Sequence, residues 1–136
     1  MSYLDEEIIE DFKKQNASLI ILTEDEENLI IDAINEKLPF CGSQIAWELL
    51  KGSTYLGTAT SPGVLNSLAK KITPASHDFI FIVGDSIDNA YAINLKDLTF
   101  AIKIFSTIPQ HTYITQKDLT WIACISFEGY VDFSPL

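Results

Sequence analysis

The sequence predicts an α+β domain: an antiparallel sheet with helices packed on one face, a helix-rich N-terminal half and a strand-rich C-terminal half. Three observations carry this. Helix-opening signals stand at Ser2, at Thr23 with Glu26, and at Ser61-Pro62. One of the longest apolar runs, Phe79-Ile80-Phe81-Ile82-Val83, has the length and the β-branched and aromatic content of a buried strand. Beyond it, short strand-like segments alternate with turn residues to the C-terminus. Helices early and strands late are the pattern of the α+β class. With 136 residues, 47% of them hydrophobic, residues 1–136 read as one domain with a substantial core.

Element by element, Ser2 caps a first helix and Asp5 stands three residues on. Leu4, Ile8, Ile9 and Phe12 recur at helical spacing, Glu10 and Lys14 sit at i,i+4, and Gln15-Asn16-Ala17 ends the helix. Residues 18–22 read as a short strand or as a continuation of the apolar side of the helical pair. Thr23 and Glu26 form a capping box for a second helix with Ile30, Ile31, Ile34 and Leu38 inward, stopped by Pro39. Residues 40–60 are ambiguous, except that Thr54–Thr58 favours a strand. Ser61 as cap and Pro62 at the first helical position open a third helix through about Ile72. Strands follow at 78–84 and 90–95, joined by Asp85-Ser86-Ile87-Asp88-Asn89. Residues 98–105 allow helix or strand. Residues 112–115, 119–127 and 130–133 then form an antiparallel meander with Glu128-Gly129 as a tight turn. Asp132, between Val131 and Phe133, faces away from them, towards solvent.

The charge is lopsided. Net charge is −10, and eleven of the nineteen carboxylates fall in the first 36 residues, answered there only by Lys13 and Lys14. There is no arginine, the preferred fork for phosphate. Such a field repels nucleic acid and anionic lipid and attracts cationic partners. The acidic start does not resemble an export signal and no run is long enough to span a membrane, so the reading is a cytoplasmic protein, with no nucleic acid and no membrane as partner. Cys41 and Cys124 are then reduced thiols, mostly buried.

No residue pattern identifies a reaction. His77 and His111 have no carboxylate at motif spacing, no nucleophile elbow surrounds a serine or Cys124, and the glycines form no phosphate loop. The acidic cluster lacks the glycine and the ligand order of a calcium loop, so no catalytic residue, metal or cofactor is expected. Trp47 and Trp121 read as core or sheet residues. The carboxylates have two readings. They are the solvated faces of amphipathic helices, or a docking surface made of Glu6, Glu10, Glu24, Asp25, Glu27, Asp85 and Asp88. The second gains weight because Glu24-Asp25-Glu26-Glu27 has no interleaved lysine. Tyr3, Tyr55, Tyr91 and Tyr130 are candidate anchors for such a surface.

The run from Lys117 to Phe133, KDLTWIACISFEGYVDF, places a Trp-bearing strand before an acidic residue, a glycine turn and a last short strand. In this it resembles bacterial toxin immunity proteins of the contact-dependent growth-inhibition type. The resemblance implies an inhibitor that occludes the active site of a cognate basic toxin domain, most often a nuclease, as a monomer forming a 1:1 heterodimer. It brings no shared set of binding residues. The alternatives are an acidic regulatory or scaffold module that binds a host protein through the same helices, and a small enzyme or ligand-binding domain using a pocket between the sheet and its helices, for which loss of activity on mutating His111 or Cys124 would speak.

Overall fold

The computed structural model describes residues 1–136, and the domain is α+β. Helix α1 spans Tyr3–Lys14. The Ser2 hydroxyl accepts the Asp5 N–H at 3.1 Å, and the helix ends with Asn16 in the left-handed region (φ 52°). There the Ala17 and Asn16 N–H groups return to the carbonyls of Phe12 and Lys13, which satisfies the last turn. Strand β1 (Ile20–Ile21) leads to α2 (Glu24–Lys37), where Thr23 and Glu26 cap one another reciprocally. Residues 40–50, ambiguous by sequence, form a small hairpin, β2 (Phe40–Cys41) and β3 (Gln44–Ile45), followed by a 3₁₀ turn over Trp47–Leu49. Strand β4 is Thr54–Thr58 as expected.

Helix α3 begins later than its proline suggests, at Val64, and ends at Ile72. Ser61 does not cap it. Its hydroxyl pairs with that of Thr58 at 2.7 Å, and Gly63, at φ +81°, holds the N-cap position. Strands β5 (Phe79–Gly84) and β6 (Tyr91–Asn94) flank the 85–90 loop, and the open segment after them is a helix, α4 (Leu98–Ser106). Strands β7 (Thr112–Thr115), β8 (Trp121–Ile125) and β9 (Tyr130–Pro135) close the chain as the expected meander.

The seven main strands form one antiparallel sheet in the order β1-β6-β5-β7-β8-β9-β4. Its first face carries the main core. Ile80, Ile82, Tyr91, Ile93, Ile114, Trp121, Val131 and Phe133 meet Ile8 and Phe12 of α1, Leu68 and Ile72 of α3, and Ile102 and Phe105 of α4. Phe12 sits edge-on to Phe100 at 5.1 Å. Helix α2 does not join that layer, contrary to the one-face expectation. The central strands are apolar on both sides, so Ile30, Ile31, Ile34 and Leu38 pack on the second face against Phe81, Val83, Ile122 and Leu119. The β2–β3 hairpin extends this cover through Ile45 and is pinned by the Tyr113 hydroxyl donating to the Ser43 carbonyl at 3.3 Å. No helix is long and apolar enough to cross a membrane.

Candidate functional site

The cover on the second face stops at the hairpin. Beyond it, residues of β8, β9 and β4 point away from the main core. Cys124 lies opposite Asp132, Asp132 lies opposite Tyr55, and Tyr130 lies opposite Thr58. Because directly paired residues share a face, these side chains form the floor of an uncovered half-sheet. The floor and the hairpin together bound a concavity of about 370 Å³. Trp47 and Ile45 wall it on the hairpin side, Tyr113 and His111 at the β7 end, and Tyr55 and Tyr130 on the far side.

The bulge between Tyr55 and Gly57, with Gly57 at φ +116°, shifts β4 against β9. The Tyr55 and Tyr130 rings meet edge to face, 6.1 Å apart, and both are more than half or half exposed, at 57% and 50%. Phe127, in the turn between β8 and β9, is also exposed, and its N–H donates to Nδ1 of His111 at 3.1 Å. That bond makes Nδ1 the acceptor and leaves the ring proton on Nε2. The backbone N–H of His111 donates to the Asp85 carboxylate at 2.9 Å.

Asp132 is the distinctive group. Burial pushes its carboxyl up to about 6. It accepts no hydrogen bond from any side chain and forms no ion pair. Across the strand pair, the Cys124 thiol is raised well above its ordinary value, first by burial and then by the negative charges of Asp132, Asp85 and Glu128. A thiol held protonated in this way is the reverse of an activated nucleophile. The Tyr113 hydroxyl is raised too, by burial and then by Cys124 and Asp85. The concavity is therefore aromatic in its walls and negative in its field. No group of three or more His, Cys, Asp or Glu side chains stands in a geometry that would hold a metal ion.

The docking residues expected from sequence fall in three places. Glu24, Glu27 and Asp88 converge at one edge, where the first turn of α2 meets the 85–90 loop and the start of α1. Burial, then the charges of Glu24, Asp5 and Asp88, raise the Glu27 carboxyl. Asp88 lies 4.0 Å from the N-terminal amine. Asp25 is exposed beside them. Glu6 and Glu10 lie on the exposed side of α1, away from Ile8 and Phe12. Asp85, at the other end of its loop, accepts the backbone N–H of His111 and so stands next to the concavity without lining it.

Several expectations are corrected. Tyr91 is fully buried and is no surface anchor, whereas Tyr3, Tyr55 and Tyr130 are exposed. Cys41 is exposed, because it sits on a two-residue strand at the tip of a surface hairpin. Trp121 is a core residue as expected, but Trp47 is half-buried and walls the concavity. Asp132 faces away from Val131 and Phe133 as alternation requires, yet it enters a concavity instead of open solvent. Sequence reasoning missed Trp47, Tyr113 and Asp132 as a group, since only the strand order brings the hairpin beside β8 and β9. Comparisons of the chain with protein-family models, with curated proteins and with solved structures found no match.

Proposed function

We propose that this protein is an immunity protein, a non-catalytic inhibitor that binds one cationic toxin domain and covers its active site. The observation that supports this most is the state of its acidic groups. None of the nine lysines pairs with any of the nineteen carboxylates, and the one ion pair, made by Asp88, uses the N-terminal amine. Carboxylates gathered at one edge with no lysine among them weaken the free protein slightly, and a cationic surface arriving there reverses the effect. A nuclease is the favoured target, because a cleft that binds a polyanion must be basic. The chemistry agrees with what the Lys117–Phe133 resemblance implies. The inhibitor then acts in the cytoplasm of the cell that makes the toxin.

The test is co-expression with the product of the adjacent open reading frame, which this reading expects to be the toxin domain. Cells survive, the two proteins elute together at 1:1, and the association rate falls by about tenfold or more between low and high salt. Continued cleavage of substrate by the toxin domain in the presence of stoichiometric protein overturns the reading.

A further inference from the structure

The acidic edge accounts for attraction at a distance, but rim charges set on-rate more than they hold a complex together. Holding needs a desolvated pocket with aromatic walls. We infer that the concavity on the open half-sheet is a socket for one lysine or arginine side chain of the protein partner, its stem packed between Trp47, Tyr55 and Tyr130 and its cationic head on Asp132. This rests on the proposed docking of a basic partner and names where that docking is anchored.

Four observations converge on it. First, the Asp132 carboxylate is partly desolvated and receives neither a hydrogen bond nor a cation from its own chain, so only solvent at the mouth offsets its burial in the free protein. A cation inside the concavity supplies the missing compensation. Second, the walls present aromatic rings, which attract cations through their faces and cover a long aliphatic stem. Third, Asp85 and Glu128 add negative potential at the same place, felt by the Cys124 thiol on the floor. An anionic ligand is repelled there, and a neutral one gains nothing from the field. Fourth, the opening carries two exposed aromatics, Tyr55 and Tyr130, a residue type that carries binding energy at interfaces. The volume, about 370 Å³, is ample for one long side chain.

The experiment needs no toxin at the outset. The ¹⁵N-labelled protein is titrated with N-acetyl-arginine amide, N-acetyl-lysine amide and, as the uncharged isostere, N-acetyl-citrulline amide. Trp47 is the reporter, because its indole walls the socket while Trp121 is buried in the core. The two cationic probes shift the Trp47 indole N–H and the backbone of Tyr130 and Asp132, and citrulline does not. Asp132→Asn weakens the arginine probe by about tenfold, the loss of a charge-assisted contact. Tyr130→Ala does so through the wall, in a variant whose core is untouched. Equal shifts from citrulline, or arginine shifts confined to Glu24, Glu27 and Asp88, overturn the socket.

The toxin domain then separates the two ideas. With a socket, Asp132→Asn and Tyr130→Ala speed dissociation while the salt dependence of association is unchanged. If the toxin binds both variants as tightly as the parent, the docking reading stands and the socket falls. If arginine seats at Trp47 but no toxin is bound, the cation preference of the socket stands and the toxin reading falls.

Discussion

The carboxylate of Asp5, with no exposed surface, accepts the phenolic hydroxyl of Tyr91, also fully buried, and so ties the first turn of α1 to the start of β6. The same carboxylate accepts the N–H groups of Asp88 at 2.7 Å and Asn89 at 3.2 Å and the hydroxyl of Ser2. An acid in the most acidic segment of the chain is thus a structural clamp on the 85–90 loop. Asp5→Ala strands a buried hydroxyl and two backbone donors, and should cost about 3 kcal/mol or more. Tyr91→Phe removes one donor of the four and should cost about 1 kcal/mol. Urea unfolding of the two variants measures both, and an Asp5→Ala midpoint within error of the parent would show that the clamp contributes nothing.

Asp5 and Asp132 impose opposite pH dependences. Burial pushes the Asp5 carboxyl up, but the hydrogen bonds from Ser2, Tyr91, Asp88 and Asn89 outweigh it and hold the group below its ordinary value of 3.8. Its folded value lies under its unfolded one, so the stability it contributes is complete above about pH 4 and is lost as pH falls through the folded value. Asp132 is the reverse case. Its folded value of about 6 lies above the unfolded 3.8, so the folded state holds the extra proton between them. Stability from this group is highest below about pH 4 and declines as pH rises to about 6. Asp132→Asn should therefore stabilise the protein at neutral pH and leave it nearly unchanged at pH 4. Unfolding midpoints across that range decide it, and a gain of the same size at both ends would refute the assignment.

Local elements were legible in the sequence because their signals are local. Thr23 and Glu26 form the reciprocal box that their spacing requires, Asn16 ends α1 where a left-handed residue is needed, and β4 and β7 have their expected bounds. What failed was relational. Leu98, Ile102 and Phe105 at helical spacing compete with β-branched composition, and only packing against Phe12 and Tyr91 settles α4 as a helix. The amphipathic face of α2 does not say which side of the sheet it covers. The acidic edge was half visible: Glu24 and Glu27 were candidates, but their approach to Asp88 needs the β1–β6 pairing, which brings the start of α2 to the loop. The socket was invisible, since Trp47, Tyr55, His111 and Asp132 are strung over 86 positions of chain.

Glu24, Glu27 and Asp88 should trade stability against binding. Burial of Glu27, followed by repulsion from Glu24, Asp5 and Asp88, raises the Glu27 carboxyl. Glu27→Gln should raise the melting temperature at low ionic strength, and the gain should shrink as salt screens the cluster over a Debye length of about 8 Å at physiological strength. The same substitution should slow association with a cationic partner. Stopped-flow association and thermal unfolding on one set of samples test both halves. A variant that loses stability, or gains it equally at every salt concentration, contradicts the placement of these charges.

Gly84 is required for a different reason from the turn glycines, because its φ is unexceptional and the constraint is space. A Cβ there would stand 2.3 Å from both amide heteroatoms of Gln110, which is 1% exposed. Gln110 cannot move aside freely: its Oε1 accepts the Ser86 N–H at 2.9 Å and its Nε2 donates to Thr112 Oγ1 at 3.0 Å. Gly84→Ala must expel the amide, break both bonds and leave the Ser86 N–H without its partner, at about 2–4 kcal/mol. Gln110→Ala removes the obstacle, so adding Gly84→Ala to it should cost much less than adding it to the parent. A double-mutant cycle reads that difference directly, and simple additivity would show that the two side chains do not compete for one space. The cycle also bears on function, because the Ser86–Gln110 bond sets the start of the loop that carries Asp85 and Asp88. Gly84→Ala alone should therefore weaken partner binding even under conditions where the variant remains fully folded.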